Sequence, residues 1–338
     1  MTTFPTTPRT AAVRASALVL VWSSGFIGAE LGARAAPPAT SLAWRFLVTA
    51  VVLLPWLLRG GGPGRREWVR QAVLALLCQC LYLAGVFWAA AAGVPAGTSA
   101  LIASLQPALV VVAAVLLGSQ RLGLGHVVGL VLGSTGVALT AAGDLRAGVD
   151  IAALVLPLSA MLSLTAGTLL QQRWSGGSTP LMRTLAVQAV FGAAFFTAYA
   201  AATGELAPPA TTGFWTATTW AVLAGIGSYG CYYLVTIHDG ATRASTLLYL
   251  TPAATALWAT LMFAQPLRPT TLVGLLVSAA AVVVFTRTDR GPRTDRGPRT
   301  GAPADSQNSP AQPSPRPTPQ ARPAPPHAEQ GTPAQGDP

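Results

Sequence analysis

The chain has 338 residues, of which 51% are hydrophobic and only 9% charged, against about a quarter charged in ordinary soluble domains. With a mean hydropathy of +0.50 averaged over a long polar tail, this composition excludes an ordinary soluble globular domain and predicts an all-α polytopic membrane protein. The net charge of +10 rests on arginine alone, with no lysine in the chain. The arginines are scattered through short connections instead of forming a basic patch with stacking aromatics, which speaks against nucleic acid.

In chain order, residues 1–14 read as a polar, cytoplasmic arm. Arg9, Arg14, the apolar run 15–28 and Ala33-Arg34-Ala35 also have the make-up of a cleavable signal peptide. An uncleaved first span is preferred, because the rest of the topology balances only if it is kept. Apolar runs between Arg, Pro and Gly punctuation predict ten spans, near 15–34, 40–58, 68–92, 95–117, 123–142, 151–171, 181–203, 213–236, 242–263 and 269–286. Each is long enough to cross a hydrocarbon core of about 30 Å as helix. With the N-terminus inside, Arg9, Arg14, Arg59, Arg65, Arg66, Arg70, Arg121, Arg173, Arg183 and Arg243 fall on the cytoplasmic side, and Arg34, Arg146 and Arg268 outside. That is the positive-inside bias; it predicts a multi-pass protein of the cytoplasmic membrane with both termini inside. Residues 287–338 begin with the repeat RTDRGPRTDRGPRT and continue Pro-, Ala- and Gln-rich; they predict a disordered cytoplasmic tail with too little apolar surface to fold.

Chemistry-bearing residues are sparse. Cys78, Cys80 and Cys231 lie within apolar runs, and His126, His238 and His327 are scattered, so no metal-ligand set is read. Of the carboxylates Glu30, Glu67, Asp144, Asp150, Glu205 and Asp239, only Glu30 is plausibly within the membrane. No paired carboxylates, nucleophile constellation or phosphate loop appears; no catalytic residue, cofactor or metal is expected.

The strongest signal is a duplication. Adding 145 maps Ala96 onto Ala241, Leu105 onto Leu250, Pro107 onto Pro252, Gln120 onto Gln265, Gly129 onto Gly274 and Val137 onto Val282, without a gap. The halves, 15–142 and 150–286, thus hold five spans each. An odd number makes the second copy enter the membrane from the opposite side, the plan of secondary transporters whose site lies between inverted repeats. Pro107 removes the hydrogen bond to the carbonyl of Ala103, and Pro252 that to Leu248. Both are read as hinge positions.

Trp22-Ser23-Ser24-Gly25-Phe26, Arg45-Phe46, Ser104-Leu105-Gln106-Pro107 and Leu117-Gly118-Ser119-Gln120-Arg121-Leu122, followed by Gly129, resemble the EamA family of the drug/metabolite transporter superfamily. The resemblance covers about residues 15–286. It implies ten helices in two five-helix repeats, with export or exchange of small metabolites or drugs through a central cavity. The family commonly has Glu in the loops after spans 4 and 9; Gln120 and Gln265 replace both here.

Residues able to line such a cavity are Trp22 and Ser24 (span 1), Arg45 (span 2), Tyr82 and Trp88 (span 3), Gln106 (span 4), Tyr229 and Tyr233 (span 8), and Tyr249 and Trp258 (span 9). Aromatics there suit amino-acid side chains, organic cations or amphiphiles; each aromatic alone also fits helix packing or an interfacial belt. Arg45 lies deeper than a loop charge. It fits an anchor for a substrate carboxylate or phosphate, a partner of backbone carbonyls, or a side chain snorkelling to the surface. Glu30 invites a proton-coupling role, but Arg34 is placed four residues on to pair with it. The glycines of Gly28-x-x-x-Gly32, Gly129-x-x-x-Gly133 and Gly225, Gly227 and Gly230 predict close helix contacts.

The expected function is a secondary transporter of small organic solutes, an exporter in the sense of the family resemblance, working as monomer or homodimer in the bilayer. Uptake, exchange and a non-transporting sensor or scaffold are the alternatives, the last disfavoured because no folded soluble output domain follows.

Overall fold

The computed structural model describes residues 8–59, 64–116, 123–174 and 180–289. All regular structure among them is helical, as the apolar, Ala- and Leu-rich runs require when backbone groups must be satisfied without water. Span 1 is Pro8–Ala35, span 2 Pro38–Leu58, span 3 Arg65–Ala91, span 5 Leu124–Arg146, span 6 Ile151–Arg173, span 7 Leu181–Ala202, span 8 Thr212–Asp239 and span 10 Pro269–Asp289. Among the described residues nine spans are long and apolar enough to cross a membrane; in span 10 the apolar stretch is the shorter Pro269–Val284. Helix starts follow local chemistry: Asp150 accepts from the Ala152 N–H at 2.9 Å, and the Thr211 hydroxyl accepts from the Phe214 N–H at 3.3 Å, as N-caps do. Gly240, at φ 93°, reverses the chain between spans 8 and 9.

Two expectations shift. The first helix begins at Pro8, so the second half of the presumed polar arm is already helix; Ala11 is buried and Arg14 is held by Asp239. Spans 4 and 9 are broken, not merely kinked. Span 4 is Ala96–Ala103 followed by Gln106–Leu116, and span 9 is Ala241–Leu248 followed by Thr251–Phe263. Every boundary up to the start of the second piece is displaced by the same 145 residues as the sequence repeat. Three-residue turns bridge the gaps: Leu105 N–H donates to Ile102 O at 3.1 Å and Leu250 N–H to Leu247 O at 3.0 Å.

The packing obeys the duplication. Spans 2 and 7 pair, as do 5 and 10, and 4 and 9, each the counterpart of the other; span 1 packs on span 8, and its image, span 3, on span 6. These pairings are unchanged when the halves are exchanged, although span 1 also packs on spans 3 and 4 with no comparable contact of span 6 on spans 8 and 9. Spans 5 and 10 touch backbone to backbone: a Cβ at Gly136 would come within 2.6 Å of the Gly274 carbonyl oxygen. This crossing lies one turn beyond Gly133, where a Cβ would meet the Leu105 side chain at 2.7 Å and Ala281 of span 10 at 3.8 Å. Gly28 faces Trp220 and Ala221, Gly32 faces Phe87 and Ser41, and Gly227 faces Val21, whereas Gly230 has nothing within 4 Å. The central apolar cluster gathers Phe26, Ile27, Leu42, Phe46, Val86, Phe87 and Phe196. It surrounds the polar residues described next.

Candidate functional site

Arg45 sits seven residues past Pro38 in span 2, about 10 Å along the helix from its start. It is only 9% exposed. One guanidinium nitrogen lies 3.1 Å from where a Cβ of Gly225, on span 8, would stand. The missing side chain is what admits the arginine head. Phe46 and Phe87 flank it, with ring centroids 5.7 and 5.8 Å from Cζ, and the Tyr82 and Tyr229 hydroxyls lie within electrostatic reach. No carboxylate among the described residues lies at ion-pair distance, so Arg45 neither snorkels nor is neutralised.

Beside it runs a ladder of amides that no charge count reveals. Gln79 donates to the Tyr229 hydroxyl at 3.1 Å and, at 3.4 Å, to Gln188 Oε1. Gln188 donates to Gln71 Oε1 at 2.8 Å, and Gln71 to Glu67 at 2.8 Å. The ladder joins span 3 of the first half to spans 7 and 8 of the second. Buried amides demand such mutual satisfaction. Gln79 lies in a π-helical turn, Leu76–Leu81, where one residue more than an α-turn is accommodated. Ser163 of span 6 donates to the Leu77 carbonyl in that turn at 2.9 Å.

Aromatic residues extend the group. Trp22 packs edge-on against Tyr229 and also meets Tyr232, both at 5.9 Å between centroids. Trp220 donates to the Ser24 carbonyl at 2.9 Å and meets Trp258 at 6.0 Å; the buried Trp258 indole N–H has no partner. Arg45, Tyr82, Tyr229 and Trp22 thus come together, and Ser24 and Trp258 form a second group through Trp220. Others lie apart. Tyr233 is 49% exposed, and Trp88 packs on Tyr199 at 5.8 Å. Tyr249 lies half-buried in the break of span 9. Gln106 opens the second piece of span 4 and donates to Thr168 of span 6 at 3.0 Å. Glu30 is bonded to Arg34 at 2.8 Å, and Arg34 lies over the Phe263 ring at 4.3 Å.

Ion pairs close both ends of the bundle between the halves. Arg14 of span 1 forms a two-pronged pair with Asp239 of span 8 at 2.9 and 2.8 Å, with Arg243 at 3.8 Å. At the other end the buried Asp144 of span 5 accepts from Thr98 at 2.6 Å and from Arg268, beside span 10, at 3.1 Å. A cavity of about 210 Å³ opens there, lined by Thr98, Asp144, Thr260, Gln265 and Arg268. Gln265 follows Ala264, which takes a left-handed backbone at φ 53°; it is a residue of the connection. Gln120 lies outside the described residues, as does the tail beyond 289.

The profile of the EamA-like transporter family matches residues 10–142 and again 151–287. The chain belongs to the EamA-like transporter family. Its two matched segments coincide with the two halves of the bundle, and the family makes it a membrane transporter of small solutes. A solved crystal structure shares the fold, with a TM-score of 0.57 and 17% identity over 84% of this chain and 99% of its own; at that identity the likeness speaks to fold alone. A search of curated proteins returns no match.

Within this EamA protein the residues that sequence reasoning missed are Gln71, Gln79 and Gln188. Gln79 stands as an amide within an apolar run, whereas Gln71 directly follows Arg70 and Gln188 lies about a turn beyond Arg183 and Thr184; none of the three carries a charge or a ring. The pairing of Arg14 with Asp239, 225 residues apart, had no local signal at all.

Proposed function

We propose that this chain exports a small organic solute across the cytoplasmic membrane by alternating access, with both termini on the cytoplasmic side and the solute held beside Arg45. The observation that carries this reading is the origin of the Arg45 group: Arg45, Gln79 and Tyr82 come from the first half, Gln188, Gly225 and Tyr229 from the second. A rocking of one half against the other reshapes such a group, which a site within one half would escape. The two ion-paired ends fit the same scheme. Opening toward the cytoplasm parts Arg14 from Asp239; opening outward parts Asp144 from Arg268. The broken spans 4 and 9 supply hinges in each half, since a helix that has already lost its hydrogen bonds at Pro107 and Pro252 bends there at little further cost.

Transport assays in inside-out vesicles, with a panel of metabolites and drugs and Arg45→Ala as control, test the reading. Solute movement is expected in wild-type vesicles and loss of it in the variant. If no solute moves in either direction under any gradient, the proposal fails.

A further inference from the structure

The charges around Arg45 narrow what the site can hold, granted the transport reading above. Its neighbours Phe46, Phe87, Tyr82, Tyr229 and Gly225 are all uncharged. Of the other carboxylates, Glu30 has Arg34, Glu67 has Gln71, Asp144 has Thr98 and Arg268, Asp150 caps the Ala152 N–H and Asp239 has Arg14 and Arg243, and none among the described residues forms an ion pair with Arg45. The enclosure therefore carries one uncompensated positive charge.

Its hydrogen-bonding character points the same way. The Tyr229 oxygen accepts from Gln79, which leaves the Tyr229 proton to be donated. No hydrogen bond from the Tyr82 hydroxyl occurs among the described residues, and none from the Arg45 guanidinium. The Arg45 guanidinium and the Tyr82 and Tyr229 O–H groups, within electrostatic reach of one another, are donors with no acceptor bonded to them among the described residues, and the only charge in the group is positive. A cation placed there meets like charge at low dielectric, whereas a carboxylate meets a fork of N–H groups with two O–H groups beside it.

We infer that the Arg45 site takes a small organic anion. The guanidinium and the two tyrosine hydroxyls hold its carboxylate, and its uncharged body rests against Phe46, Phe87 and Trp22. The aromatics then serve the body of the ligand and not a cationic head.

The test uses the purified full chain with three probes of similar size class: p-aminohippurate (an aryl carboxylate), tetraethylammonium and mannitol. Millimolar p-aminohippurate is expected to raise the melting temperature in detergent, and to enter proteoliposomes by saturable counterflow. Arg45→Gln should weaken its binding by about tenfold to a hundredfold, the worth of a hydrogen bond to a charged group. Without ligand that variant should melt no lower than wild type, because an unpaired buried charge has been removed. A brace between helices would behave oppositely and melt lower. Arg45→Lys, which keeps the charge but loses the fork, should fall between the two.

Carriage of tetraethylammonium or mannitol without p-aminohippurate overturns the anion site and leaves transport standing. Binding of p-aminohippurate with no carriage of any probe or of any solute in the vesicle panel overturns transport and leaves the anion site standing. Wild-type binding in Arg45→Gln, or no binding and no carriage of p-aminohippurate, also overturns the anion site.

Discussion

Spans 4 and 9 are copies in backbone and strangers in chemistry. Both break after eight helical residues, at positions 145 apart, each just before its proline. Around the break in span 4 the polar side chains are engaged: Ser104 donates to the Leu101 carbonyl at 2.6 Å, and Gln106 to Thr168 at 3.0 Å. In span 9 the counterpart of Gln106 is Thr251, a buried hydroxyl without a partner. Two further unpartnered donors on span 9, Thr255 and Trp258, stand where span 4 has Val110 and Ala113. Duplication has preserved where the chain must bend, which proline dictates. It has not preserved what the bend presents, which single substitutions alter freely.

The largest effect is expected where the two broken spans meet. A Cβ at Gly97 of span 4 would lie 3.2 Å from that of Ala256 on span 9, so Gly97→Leu should overpack the crossing and destabilise the bundle by about 1–3 kcal/mol, seen as a lower melting temperature in detergent. Next come the prolines. Pro107→Ala restores an N–H to a break that Ser104 and Gln106 still hold, whereas Pro252→Ala restores one facing the unheld Thr251. The maximal transport rate should therefore fall further in Pro252→Ala, with insertion of both variants intact; equal rates would erase the difference between the spans. Smaller, and opposite in sign, are Gln106→Leu and Thr251→Val. The first removes the bond that Thr168 accepts, though its hydroxyl still donates to the Leu164 carbonyl, and should lower stability by about 1 kcal/mol, while the second removes a hydroxyl without a partner and should be neutral or stabilising; chemical unfolding measures both. The smallest effect is expected of Glu30→Gln. It gives up a pair whose Arg34 partner is half exposed, an arrangement worth little, and pH-driven transport should be unchanged.

Much of this molecule is legible in its sequence, for a physical reason. A membrane helix must be apolar over a fixed length, so ten spans stand out as runs, and proline within a run marks a lost hydrogen bond. Arg45 is legible because a charge within such a run is expensive. What is hidden is azimuth and partnership. Tyr229 and Tyr233 share a stripe by spacing, yet one meets Gln79 and the other is half exposed, because the neighbours of span 8 cover only part of that stripe. Pro107 and Pro252 read as hinges, since proline announces a missing bond but not that Ser104-Leu105 and Tyr249-Leu250, two and three residues before it, leave the helix. Gln71, Gln79 and Gln188 carry no charge to draw notice, and Asp239 looks like any residue at a helix end until folding brings Arg14 to it.

The π-helical turn at Leu76–Leu81 has a consequence for how this family can lengthen and shorten. One residue fewer there would return span 3 to plain α-helix, leaving it ample to cross the membrane but turning Tyr82–Ala91 by about 100° against Arg65–Ala75. Tyr82 would swing off the Arg45 face while Gln71 stayed in place. A single-codon deletion in this turn thus leaves the hydropathy of the span unchanged yet parts the two sides of the proposed Arg45 site; elsewhere in span 3 a deletion of one turns the helix out of register in the same way.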